Sequence, residues 1–142
     1  MAVELTGAMR YVIINNQTLS ALTVSFYGSI SKKESQILKV AVIDDDAPLA
    51  EEAAELTRRF FGEKGEDVFV EIYEKGSSLI YNLEKDTRYE LYLLDLRLSD
   101  YDGAELLERI REFQSDAHVI VISSYPEYLL PCVHVGIFDF IT

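Results

Sequence analysis

Residues 38–61 read LKVAVIDDDAPLAEEAAELTRRFF. The first six, Leu38–Ile43, form a short apolar run rich in β-branched residues, the pattern of a strand buried on both faces. From Ala47 onward, Leu49, Ala53, Leu56 and Phe60 recur at helical spacing, with Glu51, Glu52 and Glu55 turned outward. Three consecutive aspartates, Asp44, Asp45 and Asp46, stand between strand and helix.

The alternation continues along the chain. Val68–Tyr73 alternates as a strand, and residues 77–83 suit a short helix with Ser77 or Ser78 as its cap. Residues 92–96 make a second buried strand, and residues 104–113 a helix with Leu106, Leu107, Ile110 and Phe113 inward. His118–Ile122 is a third buried strand. Residues 127–135 form a weak helix that Pro131 should kink or end, and residues 137–141 are a last strand. Five strands alternating with four helices predict an α/β fold: a doubly wound parallel five-stranded sheet with helices on both faces and no fifth helix. With the common strand order 2-1-3-4-5, the first, third and fourth strands are neighbours, and ligands sit outside their carboxyl ends.

Composition bounds the function. The chain has 142 residues, 49% of them hydrophobic, which suffices for a core and excludes a disordered protein. There are 13 Lys and Arg against 25 Asp and Glu, a net charge of -12. Such a chain repels phosphate backbones and anionic membranes, so no direct nucleic-acid binding and no membrane contact are expected of this segment. The one cysteine, Cys132, allows no disulfide within the chain and fits a reducing cytosol. No apolar run approaches the roughly 18 to 20 residues of a membrane span, and the N-terminus has no basic region ahead of an apolar stretch that Thr23 and Ser25 interrupt. A cytoplasmic location follows as an expectation.

The charge is unevenly spread. Residues 1–37 carry Arg10, Lys32 and Lys33 against Glu4 and Glu34, a net of +1, which leaves -13 for residues 38–142. The polar stretch SKKES, from Ser31, reads as a linker, so residues 1–37 form an N-terminal extension and residues 38–142 the domain. Leu22, Val24 and Phe26 alternate with polar neighbours, Tyr11–Ile14 is β-prone, and Asn15-Asn16-Gln17 is turn-like. The extension is thus read as a β-hairpin, a tag or a linker. The sequon Asn16-Gln17-Thr18 is a chance match in a cytosolic protein.

Strand ends carry the chemistry. Asp44, Asp45 and Asp46 follow the first strand, Asp95 ends the third, and Ser123 and Ser124 follow the fourth. Singly, each acid has a local explanation, because aspartates cap helices and close strands. After adjacent strands of one sheet they point together to a shared site. Carboxylates so close repel one another and need protons, a cation or water between them. A hard cation such as Mg²⁺ fits, and a carboxylate beside it can act as a nucleophile toward a phosphoryl group. Asp46 is read as the helix cap.

Four motifs carry a family resemblance: LKVAVIDDDAPLA (38–50), YELYLLDLRLSDYDGAELLERIRE (89–112), HVIVISSY (118–125) and VGIFDFIT (135–142). Residues 38–142 resemble the receiver domain of bacterial two-component response regulators, a flavodoxin-like fold, with a lean toward regulators bearing a LytTR-type DNA-binding output. The resemblance implies that Asp95 is the phosphoacceptor for a histidine kinase. It implies that Asp44, Asp45, Asp95 and the backbone carbonyl of Arg97 hold Mg²⁺. It assigns the phosphoryl-contacting hydroxyl to Ser123, access to the phosphoryl group to Ser124, and the aromatic switch to Phe140, whose alternative is plain core packing. Such a domain catalyses its own phosphorylation and dephosphorylation and is not otherwise an enzyme. It signals to an output domain, here expected beyond residue 142 and concerned with transcription, and in the family the fourth helix, fifth strand and fifth helix often form a homodimer surface.

The sequence departs from the family at one point. The lysine that follows the last strand falls beyond Thr142, as does the fifth helix, so the domain is read as C-terminally incomplete. An absent helix would open an apolar face, and the extension is a candidate cover. Two other functions compete. A haloacid-dehalogenase-like phosphatase would use Asp44 as nucleophile and Asp46 as acid/base, leaving Asp95 unemployed. A receiver-like interaction module would work without phosphorylation. His118, His134 and Cys132 are read as structural, Tyr101, Tyr125 and Tyr128 as an ordinary rim, and Gly103 as serving loop geometry.

Overall fold

The computed structural model describes residues 3–4, 37–96, 98–122 and 140–141. Four parallel strands form one sheet: β1 (Leu38–Ile43), β2 (Val68–Tyr73), β3 (Leu91–Asp95) and β4 (His118–Ile122), in the order β2-β1-β3-β4. Three helices connect them: α1 (Ala47–Glu63), α2 (Gly76–Glu84) and α3 (Gly103–Phe113). This is the predicted doubly wound order over its first four strands. Residues 123–139, including the helix expected at 127–135, lie outside the described residues, as does most of the N-terminal extension. Of the fifth predicted strand, Phe140–Ile141 pairs antiparallel with Val3–Glu4 in a separate two-residue ladder.

The sheet separates two apolar layers. On one face Val40, Val42, Leu91, Leu93 and Ile120 meet Ala50, Ala54 and Phe61 of α1. On the other, Ala41, Ile43, Tyr92, Leu94, Val119 and Val121 meet Leu79 and Leu83 of α2 and Leu106, Leu107 and Ile110 of α3. Each central strand is apolar on both faces because helices cover both, which is why β1, β3 and β4 read as continuous apolar runs.

Two local expectations are corrected. The buried stripe of α1 is Ala50, Ala54, Thr57 and Phe61, one residue round from the predicted Leu49, Ala53, Leu56 and Phe60. Leu49 is 50% exposed, while Ala53, Leu56 and Phe60 flank the core. Two alanines allow the helix to lie close to the sheet, and the one polar residue in the stripe is satisfied: the Thr57 hydroxyl donates to the Ala53 carbonyl at 2.7 Å. The second correction concerns α2, whose N-cap is Lys75, with no capping bond from its side chain; Ser77 and Ser78 lie inside the helix.

The α2 side of the sheet also holds a buried polar chain. The Tyr73 and Tyr89 hydroxyls are hydrogen-bonded, the Tyr89 hydroxyl donates to Glu71, and the Asn82 amide donates to the Tyr73 oxygen at 2.7 Å. The Tyr92 hydroxyl donates to Gln114 Oε1 at 2.8 Å. Burial first, and then the Glu71 and Tyr73 neighbours, push the Tyr89 phenol far up, so it stays a neutral donor. Among the described residues no helix is long and apolar enough to cross a membrane.

Candidate metal centre

β1 and β3 are bonded neighbours with Ile43 opposite Leu94, so the chain leaves the two strands side by side at Asp44 and Asp95. The Asp44 N–H donates to the Tyr73 carbonyl at 3.0 Å, which holds the turn on the sheet. The Asp46 N–H donates to Asp44 Oδ1 at 2.9 Å and folds the turn back on itself. As a result one carboxylate oxygen from each of Asp44, Asp45 and Asp95 lies within 4.8 Å of the others. Asp44 and Asp95 are half-buried and Asp45 is exposed.

Burial raises the Asp44 carboxyl above its ordinary range. The Asp46 N–H and the Asp95 side chain pull it down, and the charges of Asp46 and Asp45 push it up again. The cluster is therefore an electrostatically costly arrangement that a cation would relieve. Three hard oxygen donors suit Mg²⁺ or a similar ion, which takes one or two carboxylates and keeps waters or a phosphate oxygen. Beside them opens a cleft of about 340 Å³ lined by Asp45, Asp46, Leu49, Asp95, Leu98 and Ser99.

Asp46 has a separate job. Its Oδ1 accepts from the Leu49 N–H at 3.2 Å, and Pro48 sits in the first turn of α1, where a missing N–H costs nothing. Asp46→Ala is expected to lower stability by about 1 kcal/mol, the usual worth of such a cap. Mg²⁺ binding should stay within a few-fold of wild type; chemical denaturation and calorimetric titration check the two halves.

The loop after Asp95 is pinned at its far end. A Cβ on Gly103 would lie 2.6 Å from Leu96 Cα and 2.8 Å from its carbonyl oxygen, so only glycine allows this approach. Next to it Asp102 caps α3, its Oδ1 accepting from Ala104 N at 2.9 Å and Glu105 N at 3.2 Å. Gly103 thus serves loop geometry, as its sequence suggested, and Asp102 serves as the helix cap. Sequence reasoning missed Asp100, which accepts from the Gly76 and Ser77 N–H groups, each at 3.0 Å. No local signal marks it, because Ser77 and Ser78 offer a plausible cap in sequence and the true partners stand 23 and 24 residues away.

Arg97, Ser123 and Ser124 lie outside the described residues, as do Tyr125, Tyr128, Cys132 and His134. Asp95 pairs with Ile122, the residue before Ser123 in the chain. Phe140 is described only through its backbone, in the ladder with Glu4. His118 starts β4, where burial first and then the Arg111 charge hold its imidazole below the usual range, in keeping with a structural role.

An open parallel sheet with paired acids at the carboxyl ends of its central strands places the cleft where ligands of doubly wound α/β domains bind. Residues 40–142 match the family model described as response regulator receiver domain. The transcriptional regulatory protein DcuR of Escherichia coli K12 is 31% identical over 110 residues, covering 74% of this chain and 44% of DcuR. The chain thus spans less than half the length of the curated relatives it matches. The BeF3-activated receiver domain of DrrB, a Thermotoga maritima OmpR/PhoB homologue, superposes with a TM-score of 0.61 at 25% identity over 75% of this chain and 85% of that one. A CheY-like receiver domain protein from Methanospirillum hungatei JF-1 gives 0.60 at 22% identity, over 75% and 81%. The chain belongs to the response regulator receiver domain family of two-component signalling. Domains of this family are in general signalling domains that interact with histidine kinases and output domains, and they generally bind Mg²⁺ at acidic residues.

Proposed function

We propose that Asp95 accepts a phosphoryl group from the phosphohistidine of a histidine kinase. Asp44, Asp45, Asp95 and the Arg97 backbone carbonyl would hold the Mg²⁺ that the transfer requires. The observation that carries this is the convergence of three carboxylates at the ends of two adjacent central strands. In the transfer an Asp95 oxygen bonds to phosphorus, the P–N bond to the kinase imidazole breaks, and the imidazole leaves with a proton. Water attacking phosphorus later releases inorganic phosphate and restores the carboxylate. Bound Mg²⁺ would offset the carboxylate charge and draw charge from the phosphoryl oxygens during transfer.

Ser123 donates its hydroxyl to the phosphoryl group and Ser124 sets the access of water to it. Phe140 follows Ser123 in a two-state switch that phosphorylation biases. The output is transcriptional, in line with the similarity to the transcriptional regulatory protein DcuR, and residues 1–37 are a separate extension.

Incubating the protein with Mg²⁺ and phosphoramidate, then reducing with borohydride and mapping the modified aspartate by mass spectrometry, tests the assignment. Modification at Asp95 is expected. Modification at Asp44 would instead favour phosphatase-type chemistry, and neither uptake nor Mg²⁺ binding would leave an interaction module that works without phosphate.

A further inference from the structure

We infer that Asp100 is a positioning residue for the acidic cleft, clamping the loop that follows Asp95 onto the first turn of α2. The inference rests on the phosphoacceptor reading of that cleft. Leu98 and Ser99, which form one wall of the cleft, lie two residues and one residue before Asp100.

Two independent contacts make the clamp. The first is the fork of hydrogen bonds from the Gly76 and Ser77 N–H groups to the two Asp100 oxygens. α2 supplies no capping side chain of its own at Lys75, so an acid from a different connection takes that place. A negative charge there also meets the positive end of the helix dipole. Burial is the largest single influence and raises the Asp100 carboxyl, but hydrogen bonds from the Ser77 hydroxyl and the Ser77, Gly76 and Asp100 N–H groups together outweigh it and hold the group below its ordinary range. The second contact is the next residue. The Tyr101 side chain lies so close over Gly76 that a Cβ there would sit 2.9 Å from Tyr101 Cβ and 3.0 Å from its ring. Glycine at 76 is what lets the loop tip come down onto the helix.

The loop is therefore fixed at three points: Leu96 against Gly103, Asp100 and Tyr101 on α2, and Asp102 on α3. Only the middle point links it to another helix and to the turn after β2. Without it, the wall carrying Leu98 and Ser99 is held between Leu96 and Asp102 only by the packing of Leu98 and Tyr101 against the core. Asp100 is not among the proposed ligands of cation or phosphoryl group; it acts through the loop.

Amide hydrogen exchange and Mg²⁺ titration of the whole chain, as wild type, Asp100→Ala and Asp100→Asn, test the clamp. In Asp100→Ala the amides of Gly76, Ser77 and residues 98–102 should exchange faster while those of β1 and β3 stay unchanged. The Mg²⁺ half-saturation point should rise several-fold, less than the roughly tenfold or more that follows loss of a group bonded directly to a metal ligand. Asp100→Asn, which keeps one accepting oxygen, should fall between. An alanine variant whose Mg²⁺ titration superimposes on wild type overturns the inference, as does equally raised exchange throughout the sheet. Wild type that binds no Mg²⁺ removes the phosphoacceptor reading itself, whereas wild type that binds beside an unmoved variant removes only the clamp.

Discussion

Asp95→Asn is expected to yield a folded protein that takes up no phosphoryl group. The amide oxygen that replaces the carboxylate is too poor a nucleophile to attack phosphorus, so the loss should be complete. The fold should survive because Asp95 holds its place through backbone pairing with Ile122, which asparagine retains. Mg²⁺ binding should weaken too, since one of three clustered ligand charges disappears. At this separation and partial burial such a charge contributes on the order of 2 kcal/mol, or about thirtyfold in affinity. Without the metal, the variant should be about as stable as wild type, because the asparagine amide can donate to Asp44, which the Asp95 side chain hydrogen-bonds in the wild type. Labelling, calorimetric titration and thermal melting read these effects separately. Phosphoryl uptake that persists in the asparagine variant would move the acceptor elsewhere.

Gly103→Ala should be the most damaging single-methyl change among the described positions. In an exposed helix the swap would help by about 1 kcal/mol, since alanine is the better helix former. Here the added carbon falls 2.6 Å from Leu96 Cα and 2.8 Å from its carbonyl oxygen. Those are backbone atoms, so no rotamer change relieves the clash, and either α3 or the segment after Asp95 must move. Overpacking of this kind costs about 1–3 kcal/mol, enough to reverse the propensity gain. Leu96 directly follows the proposed acceptor, so Mg²⁺ affinity should fall along with stability. Denaturant unfolding and Mg²⁺ titration of the variant check both; stability at or above wild type would show that the helix can be displaced without cost.

The sheet was legible because its strands are covered on both sides. Leu38–Ile43, the 91–95 run and His118–Ile122 had to be apolar without alternation, and nothing in a solvated loop imitates that. Strand order then brought Asp44, Asp45 and Asp95 together without side-chain detail. The rotation of α1 was not legible: Leu49 and Phe60 are more hydrophobic than Ala50 and Ala54, and only the closeness of helix to sheet favours the small residues. The Asp100 cap could not be found by local pattern either, because donor and acceptor stand 23 and 24 residues apart in different connections. Helix starts shifted by one residue, α2 beginning at 76 rather than 77 and α3 at 103 rather than 104.

The tyrosine chain beneath α2 has an optical consequence. The sequence contains no tryptophan, so phenols dominate its near-ultraviolet absorption. Tyr73, Tyr89 and Tyr92 stand edge to face, with ring centroids 6.1 Å and 5.5 Å apart, and all three are buried. Transition dipoles this near and this rigidly oriented couple, so near-ultraviolet circular dichroism should carry a signal from this one layer of the molecule. Loosening of that layer would appear as a fading band, with neither a dye nor an engineered indole to report it.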